Sequence, residues 1–390
     1  MLLPLFLICL ATGAAAIIAY GTHPGLAQLA HGLGLIIFTR RLEWPLIALS
    51  LVLCLVLLGL VISGRRRAWW LIGLAPVLAL FVHRFNPMDR ARQFVLESPE
   101  FVLPDQQPQA DDSWVVGVMF EDQAYALPYW ALYTTPVLFI TDYDKRMILM
   151  WSPFANRATA YTVTHELKPR DLEIVTTPAD TLLLMDHRLG QFIVALTGQT
   201  VKGQRPIGFE KPVPTIKTTW ANWRKQHPTT KVLRGYQNPQ APMGPIQPTE
   251  PDKLVDGEPK RTLISIVDTT PPVPIPSNSV GKTLVNTSAG TTRILLLHDP
   301  TTHRLRAFDR NVKEDLFPNF VLKTNRKHPE AAMMDSDSNS WWTIDGKAIE
   351  GDLKGCQLKE LPIEEDLYWG VMKYWYPQMN LVKPGPTTKP

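Results

Sequence analysis

Two stretches of this chain, 147 residues apart, read alike without a gap: MILMWSPFANRATAY (147–161) lies on ILLLHDPTTHRLRAF (294–308). Pro153 meets Pro300, Arg157 meets Arg304, and Ala160-Tyr161 meets Ala307-Phe308. The agreement continues downstream. Gly198 and Gly203 stand five apart in DHRLGQFIVALTGQTVKGQ, as do Gly346 and Gly351 in DSDSNSWWTIDGKAIEG, at an offset of 148. Trp220 precedes Pro228 by eight residues and Trp369 precedes Pro377 by eight, at an offset of 149. Three blocks in one order at nearly one offset read as an internal duplication. Two copies imply two similar lobes and not a solenoid, which needs at least three repeats.

Each block has a local physical meaning. Met147–Met150 and Ile294–Leu297 are apolar runs of strand length, followed by the turn formers SPFAN and DPTTH and then a second alternating run. That order predicts a hairpin in each copy. The paired glycines suit turns that need positive φ. TTWANWRKQHP (218–228) carries Trp220, Trp223 and His227 at helical spacing and predicts a short helix stopped before Pro228.

The N-terminal quarter is different in kind. LLPLFLICLATGAAAIIAY (2–20) is almost wholly apolar. Its small residues resemble a cleavage site, but no Lys or Arg precedes the run, so it reads as a retained transmembrane helix. A shorter patch, Gly32–Phe38, ends at Arg40-Arg41 and reads as a membrane-surface or re-entrant segment. PLIALSLVLCLVLLGLVIS (45–63) is the clearest spanning helix, followed at once by Arg65-Arg66-Arg67 and then Trp69-Trp70. WWLIGLAPVLALFVH (69–83) reads as a third span, kinked at Pro76. The triple arginine places its loop in the cytoplasm and the later chain outside, although Arg40-Arg41 then falls on the outer side.

The organisation expected is therefore a membrane domain over 1–93 with about three transmembrane helices, and a polar connector over 94–112. A β-rich first lobe follows over 113–236, a proline-rich linker over 237–260, a β-rich second lobe over 261–382, and a tail over 383–390. The fold class is N-terminal transmembrane helices followed by a mainly β, β-rich α+β soluble region of two duplicated lobes. The location is integral to a bacterial inner membrane, with the soluble region periplasmic or otherwise extracytoplasmic.

Composition narrows the function. A net charge of +4, with basic residues scattered and no aromatic-interleaved basic stripe, argues against nucleic acid. Of Cys9, Cys54 and Cys356, only Cys356 lies in the soluble part, where a lone thiol reads as a packing residue. Gly-rich phosphate loops, G-x-S-x-G, H-E-x-x-H and C-x-x-C do not occur.

The second-lobe motifs LLLHDPTTHRLRAFDR, DSDSNSWWTIDGKAIEG and LKELPIEEDLYWGVMKYWYP, with GVMFEDQAYALP, LTGQTVKG and TTWANWRKQHPTTKVL in the first lobe, carry a resemblance. Over most of 113–382 the chain resembles the bacterial and archaeal "domain of unknown function 3179" proteins, whose members also have two related halves. The resemblance implies a Cys-Pro-x-Cys turn in the first half, where this chain has Ser152-Pro153-Phe154-Ala155. It also implies a His-Glu and an Asn-Asp pair upstream, of which ALYTTPVLFITDYD keeps only Asp142. Any thiol chemistry of the relatives is lost here.

Candidate sites follow, each with a plainer alternative. Asp335, Asp337 and Asn339 imitate the start of a calcium loop, but Ser340 and Gly346 replace the glycine and glutamate it needs, which favours a polar turn. His298, Asp299 and His303 bracket a turn and offer a minimal metal set without a visible fourth ligand. Arg157 and Arg304 recur at matching positions and fit a structural role better than an anion site. Trp341-Trp342 and the Trp369, Tyr374, Trp375, Tyr376 cluster suit core packing, or a carbohydrate or protein surface. No catalytic residue, metal ligand or cofactor is assigned. The reading is a membrane-anchored extracytoplasmic binding or assembly protein, an accessory subunit of a larger membrane complex. Its partners are the lipid bilayer and other proteins, because three anchoring helices exceed what tethering requires. The alternatives are a metal-dependent hydrolase using His298, Asp299 and His303, or a cell-envelope polysaccharide binder.

Overall fold

The structure is a computed structural model. It describes residues 2–65, 67–85, 95–235, 242–245, 262–266, 273–276, 284–289, 292–299, 305–313, 316–325, 327–361 and 363–378. The chain divides into two units, Met1–Thr249 and Glu250–Pro390.

Continuous apolar sequence gives α1 (Leu2–Tyr20), and α2 (Gly32–Arg41) leads into a second long apolar helix, α3 (Glu43–Ile62). The helices α1 and α3 are long and apolar enough to cross a membrane, each about 30 Å at 1.5 Å per residue. They pack on one another, and the Ser50 hydroxyl donates to the Ala11 carbonyl at 3.2 Å, so this buried polar group is satisfied within the pair. The segment expected as a kinked span over 69–83 is helical in two parts. A 3-10 turn (Ala68–Leu74) runs into the ten-residue helix α4 (Ala75–Arg84). Pro76 is the cause: it has no N–H to give and is accepted only in the first turn of a helix, so α4 starts there. The segment still lies along α1. Val77 shares an apolar cluster with Ala11 and Ala15, and the Tyr20 and His83 rings are 5.5 Å apart.

The first lobe holds three sheets. A central sheet has the strand order Thr215–Thr219, Trp114–Phe120, Gln123–Pro128, Lys231–Leu233, Phe101–Val102. The one-turn helix α5 (Tyr129–Leu132) follows its third strand and α6 (Trp220–Gln226) its first. A hairpin sheet orders Val95–Leu96, Val137–Asp142, Lys145–Ser152, Arg157–Val163, Phe209–Val213. An outer sheet orders Gln199–Thr200, Gln191–Val194, Leu183–Asp186, Leu172–Thr176. The stretch 94–112, read as a connector, thus supplies two short strands to the lobe.

The second lobe repeats this order. Its central sheet pairs Val273–Pro276, Thr262–Ile266 and Ile363–Tyr368, the last followed by α7 (Trp369–Trp375). Its hairpin sheet orders Val285–Ala289, Thr292–His298, Leu305–Asp309, Lys359–Leu361, and its outer sheet Phe320–Leu322, Ala331–Asp335, Trp341–Thr343, Ala348–Glu350. Register agrees to the residue. Ile148 faces Tyr161 and Leu295 faces Phe308; Leu184 faces Ile193 and Met333 faces Trp342; Thr218 faces Val115 and Leu367 faces Leu263. The shared turn at Gly198 and Gly346 has a shared reason. Both take positive φ, and a Cβ on Gly198 would strike Tyr161, while one on Gly346 would meet its counterpart Phe308. Pro300 and Arg304 lie outside the described residues, so the match is carried by the strands flanking them.

The cores follow from strand alternation. Val116, Leu127, Leu149 and Trp151 bury between the central and hairpin sheets of the first lobe, and Phe139, Ile148, Leu184 and Ile193 between its hairpin and outer sheets. Leu295, Phe308, Phe320, Met333 and Trp342 form the matching core of the second.

Candidate functional site

The turn that the resemblance singles out closes the hairpin of Lys145–Ser152 and Arg157–Val163. Ser152 and Ala155, at the two places of the thiols, are fully buried. The Ser152 and Thr181 hydroxyls share a hydrogen bond of 2.6 Å. Asn156 ends the turn at φ +50°, a conformation asparagine tolerates better than most residues. Its side-chain carbonyl accepts from the Tyr129 hydroxyl at 2.8 Å, and its backbone carbonyl accepts from the Lys217 ammonium. Tyr129 and Tyr133 flank the Trp151 ring at 4.9 and 4.8 Å. Activating a serine takes an adjacent base, and Ser152 meets a second hydroxyl instead. Asp142 stands at the opposite end of the strand Lys145–Ser152, about 23 Å along the chain direction at 3.3 Å per residue. The structure therefore does not bring Asp142 to the turn.

Thr181 belongs to a turn in which Ala179 and Asp180 both take positive φ, +46° and +58°. Non-glycine residues held there cost about 1–3 kcal/mol each, so the surroundings must enforce them. Part of those surroundings comes from the helical region: the 3-10 turn Pro24–Gln28 packs against Pro178–Asp180.

Beside this contact lies a charged junction that the sequence reading missed. Arg40 bonds both Glu43 and Glu173. Arg84 holds the second oxygen of Glu43 at 2.9 Å, and His187 meets Glu173 at 2.8 Å. Arg41 donates to the Gly190 carbonyl at 3.3 Å and sits 5.6 Å over the Phe192 ring. The Arg40 and Glu43 side chains are only 11 and 7 % exposed, so each depends on its partners to offset desolvation. The only sequence signal was Arg-Arg followed closely by Glu43; Glu173 is 133 residues away.

The other candidates scatter. His298 ends its strand half-buried and Asp299 is buried beside it, while His303 lies outside the described residues. Asp335 accepts from the Ser338 amide and hydroxyl and from the Trp342 indole at 2.6, 2.8 and 2.9 Å, whereas Asp337 turns to the Asn319 amide at 2.7 Å. That is a polar turn built around one carboxylate. Among the described residues no three His, Cys, Asp or Glu side chains are grouped so as to hold a metal ion. Arg157 is buried at its strand start, and Arg304 lies outside the described residues. Trp342 and Trp369 are buried, and Trp341, Tyr374, Trp375 and Tyr376 half-buried, so the aromatics do not form one open face. Burial pushes the Tyr374 hydroxyl above its ordinary pKa. Cys356 packs at the edge of the second-lobe core.

Residues 95–379 match the family described as protein of unknown function DUF3179. The chain belongs to the DUF3179 family. The match begins at the first strand after the helices and takes in both lobes. No curated protein and no solved structure matches the chain. The family description assigns a DUF3179 member no activity, and the turn itself holds a buried hydroxyl pair, Ser152 and Thr181.

Proposed function

We propose that this DUF3179 protein is a membrane-anchored binding or assembly protein, an accessory subunit of a larger membrane complex, with its β-rich region on the outer side of a bacterial inner membrane. The observation that carries the reading is the junction. The first lobe is clamped to the helical segment by Arg40–Glu173, by Arg41 over Phe192, and by the strained turn under Pro24–Gln28. The family turn beneath it is buried, and its serine shares a hydrogen bond with the Thr181 hydroxyl. Such an arrangement suits holding a surface at a fixed height over a bilayer better than turning over a substrate. The repeated registers support descent of both lobes from one unit.

Orientation follows from charge. The Arg84–Glu43 pair and the Tyr20–His83 contact gather one end of α1, α3 and α4 at the lobe. Arg65-Arg66-Arg67 follows the far end of α3, and the positive-inside rule assigns that end to the cytoplasm. Arg40 and Arg41, which opposed this orientation in the sequence, are bound into the junction. The 3-10 turn and α4 together reach about 29 Å, a third crossing of irregular backbone covered by α1.

Purification in a mild detergent is expected to return a second membrane chain at fixed stoichiometry; a monomer alone contradicts the subunit reading. An impermeant maleimide on sealed cells is expected to label Ser336→Cys and to spare Ser63→Cys until the membrane is opened. Equal labelling of both contradicts the orientation.

A further inference from the structure

The junction covers one row of the first lobe's outer sheet. Glu173 faces Met185 and Met185 faces Phe192, so their side chains line one side of three adjacent strands. Arg40 and Arg41 close this row, and Phe192 is 1 % exposed. The second lobe builds the same row in the same register: Val321 faces Met334 and Met334 faces Trp341. The turn carbonyl that takes Arg41 belongs to Gly190 at φ +61°, and the matching residue, Asn339, has φ +53°. No segment equivalent to 24–41 precedes the second lobe in its unit's sequence. Its row is half-buried. The chain's own Lys323 reaches over it, with Nζ 5.5 Å from the Trp341 ring and 3.9 Å from the Met334 sulfur.

We propose that the row Val321–Met334–Trp341 is a docking surface for an arginine-bearing extramembrane loop of another membrane protein. This rests on the accessory-subunit reading and names the face that takes the partner. Tryptophan offers the best ring for a cation, and a desolvated arginine there outcompetes the solvated Lys323. The partner's chemistry is set by the two exchanges in the row, Phe192 to Trp341 and Glu173 to Val321. Val321 stands where Glu173 takes Arg40, so a second arginine at this point would be buried without a carboxylate. The occupant therefore brings one arginine to Trp341 and apolar side chains to Val321 and Met334. The loop 24–41 of a second copy, with two adjacent arginines, does not fit.

The test is photo-crosslinking of the full-length protein in its native membranes, with p-benzoylphenylalanine at Val321. The expected adduct is one membrane protein, joined through an arginine-containing peptide that adjoins a transmembrane segment. Trp341→Ala is expected to lower the yield roughly tenfold, and Trp341→Phe, which copies the first lobe, to keep most of it. Crosslinks to a second copy, to lipid or to soluble proteins overturn the proposal, as does an unchanged yield in Trp341→Ala. A partner that co-purifies in detergent while the row gives no adduct overturns the docking face and leaves the subunit reading standing. A monomer in detergent overturns both.

Discussion

The two lobes solve one problem with different chemistry. Asp186 and Asp335 occupy matching places at the end of the second outer-sheet strand, and both are fully buried. Asp186 is answered by the Arg188 guanidinium and amide and by Gln191, at 2.9 to 3.3 Å. Asp335 is answered by neutral donors, Ser338 and Trp342. The lobe docked to the helices uses charge here and at its outward row; the other lobe uses hydroxyls, an indole and an apolar row. The frame of strands is thus kept while the chemistry of the surface differs.

The largest expected effect separates the two aspartates. Asp335→Ala strands the buried Trp342 indole and the partly buried Ser338 amide and is expected to cost about 3 kcal/mol. Asp186→Ala is expected to cost about 2 kcal/mol, because Arg188 keeps the Glu166 carbonyl at 2.8 Å and Asp171 at 3.4 Å. Hydrogen exchange at 183–194 and 331–343 in the full-length protein reads both, and equal losses would break the contrast. Next comes the junction. Arg40→Ala leaves Glu43 and Glu173 each one partner short and is expected to cost about 3 kcal/mol in unfolding measured in detergent. Adding Glu43→Gln is expected to recover part of that, and second-lobe amides to stay unmoved.

How much of this the sequence carried differs by feature. Local chemistry was legible: the hairpins at Ser152 and His298, the glycine turns at Gly198 and Gly346, and the helices closed by Pro228 and Pro377 all rest on neighbours within a few residues. Two-residue strands such as Val95–Leu96 and Phe101–Val102 have no period to read, and they exist only because Val137 and Val232 are there to pair with. The junction joins Arg40 to Glu173 across the fold, beyond any spacing rule. Pro76 was visible, but its missing N–H fits a kink as well as a helix start, so spacing alone does not choose between them.

The glycine turns offer a smaller contrast. Gly198→Ala would set a Cβ 2.3 Å from the Tyr161 ring, against 3.0 Å from Phe308 for Gly346→Ala. Both incur the positive-φ penalty, and the expected costs are about 3 and about 2 kcal/mol; calorimetry on the two variants checks the order. The smallest effect lies in the row itself. Val321→Glu, which copies the first lobe onto a half-exposed position, is expected to change stability by less than about 0.5 kcal/mol. Glu173→Val removes an Arg40 partner and is expected to cost about 1–2 kcal/mol.

Cysteine reactivity along the two rows tests most directly that the helical segment closes the first lobe's row, while Trp341 in the second lobe's row stays only half-buried. In protein purified in detergent, with the native cysteines changed to serine, Trp341→Cys is expected to react with maleimide at least roughly tenfold faster than Phe192→Cys. Adding Arg41→Ala is expected to raise the rate at position 192 and leave that at 341 unchanged. Equal rates at the two positions, with or without Arg41, would contradict it.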